Sequence, residues 1–111
     1  MAMQKIDETF SQSPQIGIKD IREIADAGFK GIVCARPDNE DPDQPPFAKI
    51  AKEAERLGLK AYHIPVSGRP TVKQITHFEQ AKQDAGGPIL GYCRSGGRAG
   101  SLYAATSSQS I

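Results

Sequence analysis

The stretch Ile89-Leu90-Gly91-Tyr92-Cys93-Arg94-Ser95-Gly96-Gly97-Arg98-Ala99-Gly100 holds the pattern from which the fold is read. Ile89 to Tyr92 is a short apolar run opened by Gly86-Gly87-Pro88 and closed by Cys93, which reads as a buried strand. Four residues follow, two of them glycine, and Arg98 then starts a helix that turns Leu102 and Ala105 inward. A strand that passes through a glycine loop into a helix is the repeating unit of an α/β domain.

The same alternation extends outward from it. Phe29 to Ala35, stopped by Arg36-Pro37, and Lys60 to Val66, stopped by Ser67-Gly68, are the other strand candidates, with a weaker one near Glu8 to Ser11. Between them lie helical stripes. Ile18, Ile21, Ile24 and Ala25 share one face and end at Gly28; Phe47, Ile50, Ala51, Ala54 and Leu57 end at Gly58, with Pro46 suited to the first turn. Val72, Ile75, Phe78, Ala81 and Ala85 form the third stripe, introduced by Thr71 with Gln74 three residues on, a capping box. Crossovers of this kind give a mostly parallel central sheet flanked by helices, in one domain over residues 1–111. The carboxyl ends of the strands then bring segments 36–44, 67–70 and 93–98 to one edge, where open α/β sheets bind ligands.

Composition narrows the function. Fourteen basic and 13 acidic residues leave a net charge of +1, which argues against a nucleic-acid partner. No apolar run is long enough to cross a bilayer, and the start MAMQKIDETF has no signal-peptide core, so no membrane partner and a cytoplasmic location are expected. Two cysteines, Cys34 and Cys93, cannot build a disulfide scaffold. With His63 and His77 so placed they also make no zinc site, and the Asp38–Asp43 segment lacks the glycine and terminal Glu of a calcium loop, so neither metal nor cofactor is expected.

The chemistry concentrates after Tyr92. Gly96 and Gly97 let the chain curl so that backbone N–H groups of Arg94, Ser95, Gly96 and Gly97 form an anion-binding nest, reinforced by the helix N-terminus. Arg98 can clamp an oxyanion through two parallel hydrogen bonds. Cys93, at the rim of that nest, is the candidate nucleophile, because the field there favours the thiolate. Cys34, between Val33 and Ala35, reads as an inert core residue. His63 reads as a strand residue and His77 as an exposed helix residue.

Several pieces together resemble one family. Gln12-Ser13-Pro14-Gln15, Ala27-Gly28-Phe29-Lys30, Arg36-Pro37-Asp38-Asn39-Glu40, Asp43-Gln44-Pro45, His63-Ile64-Pro65-Val66 and Tyr92-Cys93-Arg94-Ser95-Gly96 follow, in order, the phosphatase-like domain of the beta-lactamase-hydrolase-like protein family, also described as sulfur transferases. The resemblance spans nearly the whole chain. It implies a fold like that of the dual-specificity and tyrosine phosphatases, Cys93 as nucleophile and the loop through Arg98 as anion site. The chain departs from the family where Thr and a Ser pair are usual: Gly97, Ala99 and Gly100 stand there, so the hydroxyl that helps the cysteine leave is missing, with Ser101 the nearest substitute. Ending at Ile111, the chain is expected to have a short last helix.

Loop length bears on the reaction. Tyrosine phosphatases place five residues between Cys and Arg; here Arg94, Ser95, Gly96 and Gly97 make four, a shorter ring that resembles rhodanese-type sulfurtransferases. The loop Val66-Ser67-Gly68-Arg69-Pro70 carries no carboxylate where dual-specificity phosphatases place their general acid. Sulfur transfer between thiols needs no such acid. The first expectation is therefore persulfide sulfur transfer, with phosphate-ester hydrolysis as the alternative and a non-catalytic anion- or partner-binding module as the third reading. A small anionic substrate is expected: a persulfide, thiosulfate or a phosphate ester. A possible acid comes from the 38–43 segment, with Glu40 and Asp41 the leading candidates. Arg69 and Arg94 are expected to add positive potential.

Overall fold

The computed structural model of the chain describes residues 2–109. Nine elements alternate along it: β1 (Gln4–Lys5), β2 (Phe10–Ser13), α1 (Asp20–Asp26), β3 (Gly31–Cys34), α2 (Phe47–Arg56), β4 (Lys60–His63), α3 (Val72–Ala85), β5 (Ile89–Tyr92) and α4 (Gly97–Gln109). The strands form one sheet in the order β1-β2-β5-β3-β4, parallel except for the antiparallel edge strand β1. Strand β5, which leads into Cys93, is central, with β2 and β3 as its direct neighbours.

Two apolar layers sandwich the sheet. On one face Ile75, Phe78 and Ala81 of α3 and Ala99, Leu102 and Tyr103 of α4 pack on Phe10, Val33 and Ile89. On the other, Ile21 and Ile24 of α1 and Ile50 and Ala54 of α2 pack on Ile32, Leu90 and Tyr92. Each fully buried isoleucine contributes about 1.5–3 kcal/mol by leaving water. The aromatic ring of Phe10 stacks on Tyr103 at 4.3 Å, which seats α4 against β2. A side chain at Gly91 would meet that Phe10 ring at 2.8 Å and Ala99 at 3.2 Å, so only glycine lets α4 lie this close to β5.

The expected strands and helices are found, most of them shorter than read. The Pro65 region leaves strand geometry, although Ile64 N–H still donates to Cys34 O at 2.9 Å. The capping box holds: Thr71 Oγ1 accepts from Gln74 N–H while Gln74 Oε1 accepts from Thr71 N–H. Four details differ. The weak first strand lies at Phe10–Ser13 rather than Glu8–Ser11, because Asp7 Oδ1 takes the N–H groups of Thr9 and Phe10 into a turn. Ile18 precedes α1 and is exposed, and Val72, on the first turn of α3, is 75% exposed. The last helix, with 13 residues, is not short.

Candidate active site

The Cys93 loop occupies residues 93–96, between the end of β5 and the start of α4. Its hydrogen bonds tie it to the neighbouring strand: Cys93 N–H donates to Ser13 O at 3.3 Å, and Gln15 N–H donates to Arg94 O at 3.4 Å. Gly96 takes φ +100°, which an L side chain adopts only with strain, and lies against the Ser13 backbone. That conformation aims Gly96 N–H at the Cys93 sulfur, 3.1 Å away. Gly97 N–H turns to Ser95 Oγ at 3.4 Å. Cys93 itself has 0% of its surface exposed.

Arg98 leaves the first turn of α4 and reaches across the sheet edge. Its Nη1 donates to Glu40 Oε2 at 2.8 Å and to Val66 O at 3.0 Å; its Nη2 donates to Glu40 Oε1 at 2.8 Å. Glu40 first, and Cys93 to a lesser degree, hold the Arg98 guanidinium above its ordinary value. The loops after β3, β4 and β5 therefore meet at the carboxyl edge, as the parallel sheet requires.

Behind this pair lies a residue that the sequence reading passed over as a strand stop. Arg36 is 2% exposed and is the largest of the fully buried side chains among the described residues. Its Nε donates to Glu40 Oε1 at 2.8 Å, its Nη1 to Gln15 Oε1 at 2.7 Å, and its Nη2 to Asp41 Oδ2. Asp41 also faces Arg94 Nε at 3.3 Å, whose side chain is 71% exposed. Arg36, Gln15 and the Val66 carbonyl are the site members that the reading missed. An Arg four residues before a Glu, at the edge where the loops converge, was the available signal.

This network bears on the acid candidates. Hydrogen bonds from Arg98 and then Arg36 hold the Glu40 carboxyl down at about 2, which disfavours the protonated form a general acid needs. In this arrangement Glu40 accepts from both guanidiniums. Asp41 lines a cavity of about 300 Å³ with Gln15, Arg36, Pro42, Asp43, Gln44 and Arg94, the last of them in the Cys93 loop. Asp38 is committed elsewhere, its Oδ1 accepting Phe47 N–H at 2.9 Å at the start of α2.

The remaining candidates sit away from the chemistry. Burial pushes the Cys34 thiol up, and its sulfur donates to Arg36 O at 3.3 Å within the core. His63 is half-buried, stacks on Phe47 at 4.7 Å and bonds Arg36 O through Nε2 at 2.8 Å. His77, Arg69 and Ser101 are exposed. No cluster of metal-ligating side chains exists among the described residues, and no helix there is long and apolar enough to cross a membrane.

Comparison with known proteins agrees with this architecture. The profile of the "Beta-lactamase hydrolase-like protein, phosphatase-like domain" matches residues 2–110. The chain belongs to that family. A beta-lactamase hydrolase-like protein of Agrobacterium fabrum is 37% identical over 105 residues, covering 93% of this chain but 24% of its own length. The chain thus spans about a quarter of the curated relatives it matches. A solved structure from Neisseria meningitidis, named a "putative phosphatase", superposes with a TM-score of 0.84 at 37% identity over 100% of this chain and 80% of that one. Tk-PTP in its active form superposes at 0.74 with 23% identity, covering 98% of this chain and 74% of that one. The phosphatase-like domain family and its tyrosine-phosphatase-like fold are therefore those of this chain.

Proposed function

We propose that this chain hydrolyses phosphate monoesters, with Cys93 as nucleophile, in place of the sulfur transfer expected first. The observation that carries this is the Arg98 guanidinium at the start of α4, held by Glu40 and the Val66 carbonyl through Nη1 and one Nη2 hydrogen, which leaves Nε and the second Nη2 hydrogen as donors at the end of the Cys93 loop. A planar pair of donors matches two oxygens of a phosphoryl group. The likeness to structures named as phosphatases supports the same reading.

In the first step the Cys93 thiolate gives an electron pair to phosphorus, an S–P bond forms and the ester P–O bond breaks. Arg98 and the loop N–H groups of residues 94–97 stabilise the charge on the equatorial oxygens. The leaving oxygen takes up a proton, for which we assign Asp41: it shares the Arg36 contact with Glu40, but its second ion pair, at 3.3 Å, is only to the solvent-exposed Arg94. Water then attacks phosphorus and gives a proton to the Asp41 carboxylate, the S–P pair returns to sulfur, and inorganic phosphate leaves. Because Cys93 is buried, the substrate phosphoryl must enter by displacing the covering side chains.

One observation favours a second reading. Four residues between Cys93 and Arg98 make a ring shorter than the five-residue phosphatase loop, which suits a persulfide sulfur. The test is to incubate the protein separately with p-nitrophenyl phosphate, thiosulfate and glutathione persulfide, and to read the Cys93 adduct by intact mass beside product release. Phosphate release with a phosphorylated Cys93 supports the proposal. A persulfide adduct with no phosphate release replaces it with sulfur transfer, and no adduct with any substrate leaves the chain an anion- or partner-binding module.

A further inference from the structure

We infer that Arg36 is a positioning residue for the anion site, acting on Arg98 through Glu40. The inference deepens the phosphatase reading and rests on it for its kinetic arm only. One carboxylate oxygen, Glu40 Oε1, accepts from Arg36 Nε and from Arg98 Nη2, both at 2.8 Å, so two guanidiniums share it. Glu40 sits in the turn after β3, next to Asn39 with φ +67°, on a segment with no regular structure to hold its side chain. What fixes it from the protein side is Arg36.

Arg36 is itself fixed from both ends. Its fork is occupied by Gln15, Glu40 and Asp41. Its carbonyl accepts from His63 Nε2 at 2.8 Å and from Cys34 Sγ at 3.3 Å, and His63 is stacked on Phe47 at the start of α2. The chain of contacts thus runs from the buried sheet, through Arg36 and Glu40, to the Arg98 guanidinium. A lysine at position 36 keeps the charge but not the three-way fork. Glu40 then keeps Arg98 as its one guanidinium partner, and the pair is held from outside by the single bond of Arg98 Nη1 to Val66 O. A misplacement of that pair on the order of 1 Å costs up to about 100-fold in rate.

The experiment is a double-mutant cycle of Arg36→Lys and Glu40→Gln. Its readouts are the dissociation constant for inorganic phosphate by calorimetry, kcat and KM for p-nitrophenyl phosphate, and the mobility of the Arg98 side chain by nuclear magnetic resonance. Arg36→Lys is expected to weaken phosphate binding on the order of 10-fold and to free the Arg98 guanidinium, while the same change in the Glu40→Gln background costs less than about 2-fold. An equal cost in both backgrounds overturns the inference, since Arg36 would then act independently of Glu40; so does a parent that binds no phosphate. Coupled phosphate binding in a protein that hydrolyses no ester sinks the phosphatase reading and leaves the inference standing. If Arg36→Lys does not fold, the charge-balanced Arg36→Gln/Asp41→Asn variant replaces it in the binding and resonance measurements, with the same loss and the same freed Arg98 expected. Parental phosphate affinity in that variant overturns the inference.

Discussion

Cys34, at the end of β3, and Cys93, the residue after the adjacent parallel strand β5, face opposite sides of the sheet. Tyr92 is the register partner of Cys34, and the two share the α1/α2 layer, whereas Cys93, one residue on, belongs to the α3/α4 layer. A disulfide needs Cβ atoms roughly 3.5–4.5 Å apart and pointing at one another. Mild oxidation of the folded protein should therefore give no Cys34–Cys93 bridge. Peptide mapping after peroxide treatment checks this, and a bridged peptide from folded protein would contradict the layer assignment.

The same separation splits the two serine variants. Cys93→Ser should abolish turnover with little change in melting temperature, because a hydroxyl with no adjacent base is a poor nucleophile. Cys34→Ser should lower stability by about 1–3 kcal/mol, by placing a hydroxyl in the core, and leave kcat within about 2-fold. Urea unfolding and p-nitrophenyl phosphate kinetics on both variants measure the contrast.

Arg98→Lys should cut kcat/KM on the order of 10–1000-fold, since a point charge cannot reproduce the two 2.8 Å bonds to Glu40 while presenting donors to an oxyanion. Steady-state kinetics decide it. Unchanged kinetics would mean that Arg98 only starts α4.

Acid should weaken the fold through Glu40. Its carboxyl titrates at about 2 in the folded protein against an ordinary value of 4.5, so its stabilising contribution is complete above about 4.5 and fades as pH falls toward about 2. Denaturant unfolding of the parent and of Glu40→Gln, followed from pH 6 downward, should show a stability gap that closes through this window. A gap that stays constant across it contradicts the Arg98–Glu40–Arg36 arrangement.

The proton donor is tested through the leaving group. Asp41→Asn should slow hydrolysis of an alkyl phosphate on the order of 100-fold and that of p-nitrophenyl phosphate far less, because nitrophenolate leaves without protonation. Equal losses on both esters would assign Asp41 a binding role through Arg36 and Arg94 instead.

The sheet and its flanking helices were legible in the sequence because each element carries a strong local pattern. The 3.6-residue spacing of Ile21 and Ile24, of Ile50 and Ala54, and of Ile75, Phe78 and Ala81 marks faces that are buried. Cys93 and Arg98 were legible for the same reason: strand end, glycine turn and helix start follow one another directly. Val72 misled because periodicity cannot tell a first-turn position that projects past the core from one that faces it. The pairing of Glu40 was not legible, because a carboxylate in a Pro-rich turn looks alike whether it stands free as an acid or is held as an acceptor. Only two guanidiniums, from residues 4 and 58 positions away, decide that, and such pairing is set by the tertiary fold.

The linked ion pairs around the loop also set the charge of the resting site. Three guanidiniums, those of Arg36, Arg94 and Arg98, are interleaved with the two carboxylates of Glu40 and Asp41. With both carboxylates ionised one positive charge is left over, and a proton on Asp41, which its acid role requires, raises that to two. A phosphate dianion thus arrives at a cluster with a small surplus, most of its guanidinium field being already answered from within the protein. Capture rests on short, directional hydrogen bonds made after contact, and association should respond only weakly to ionic strength.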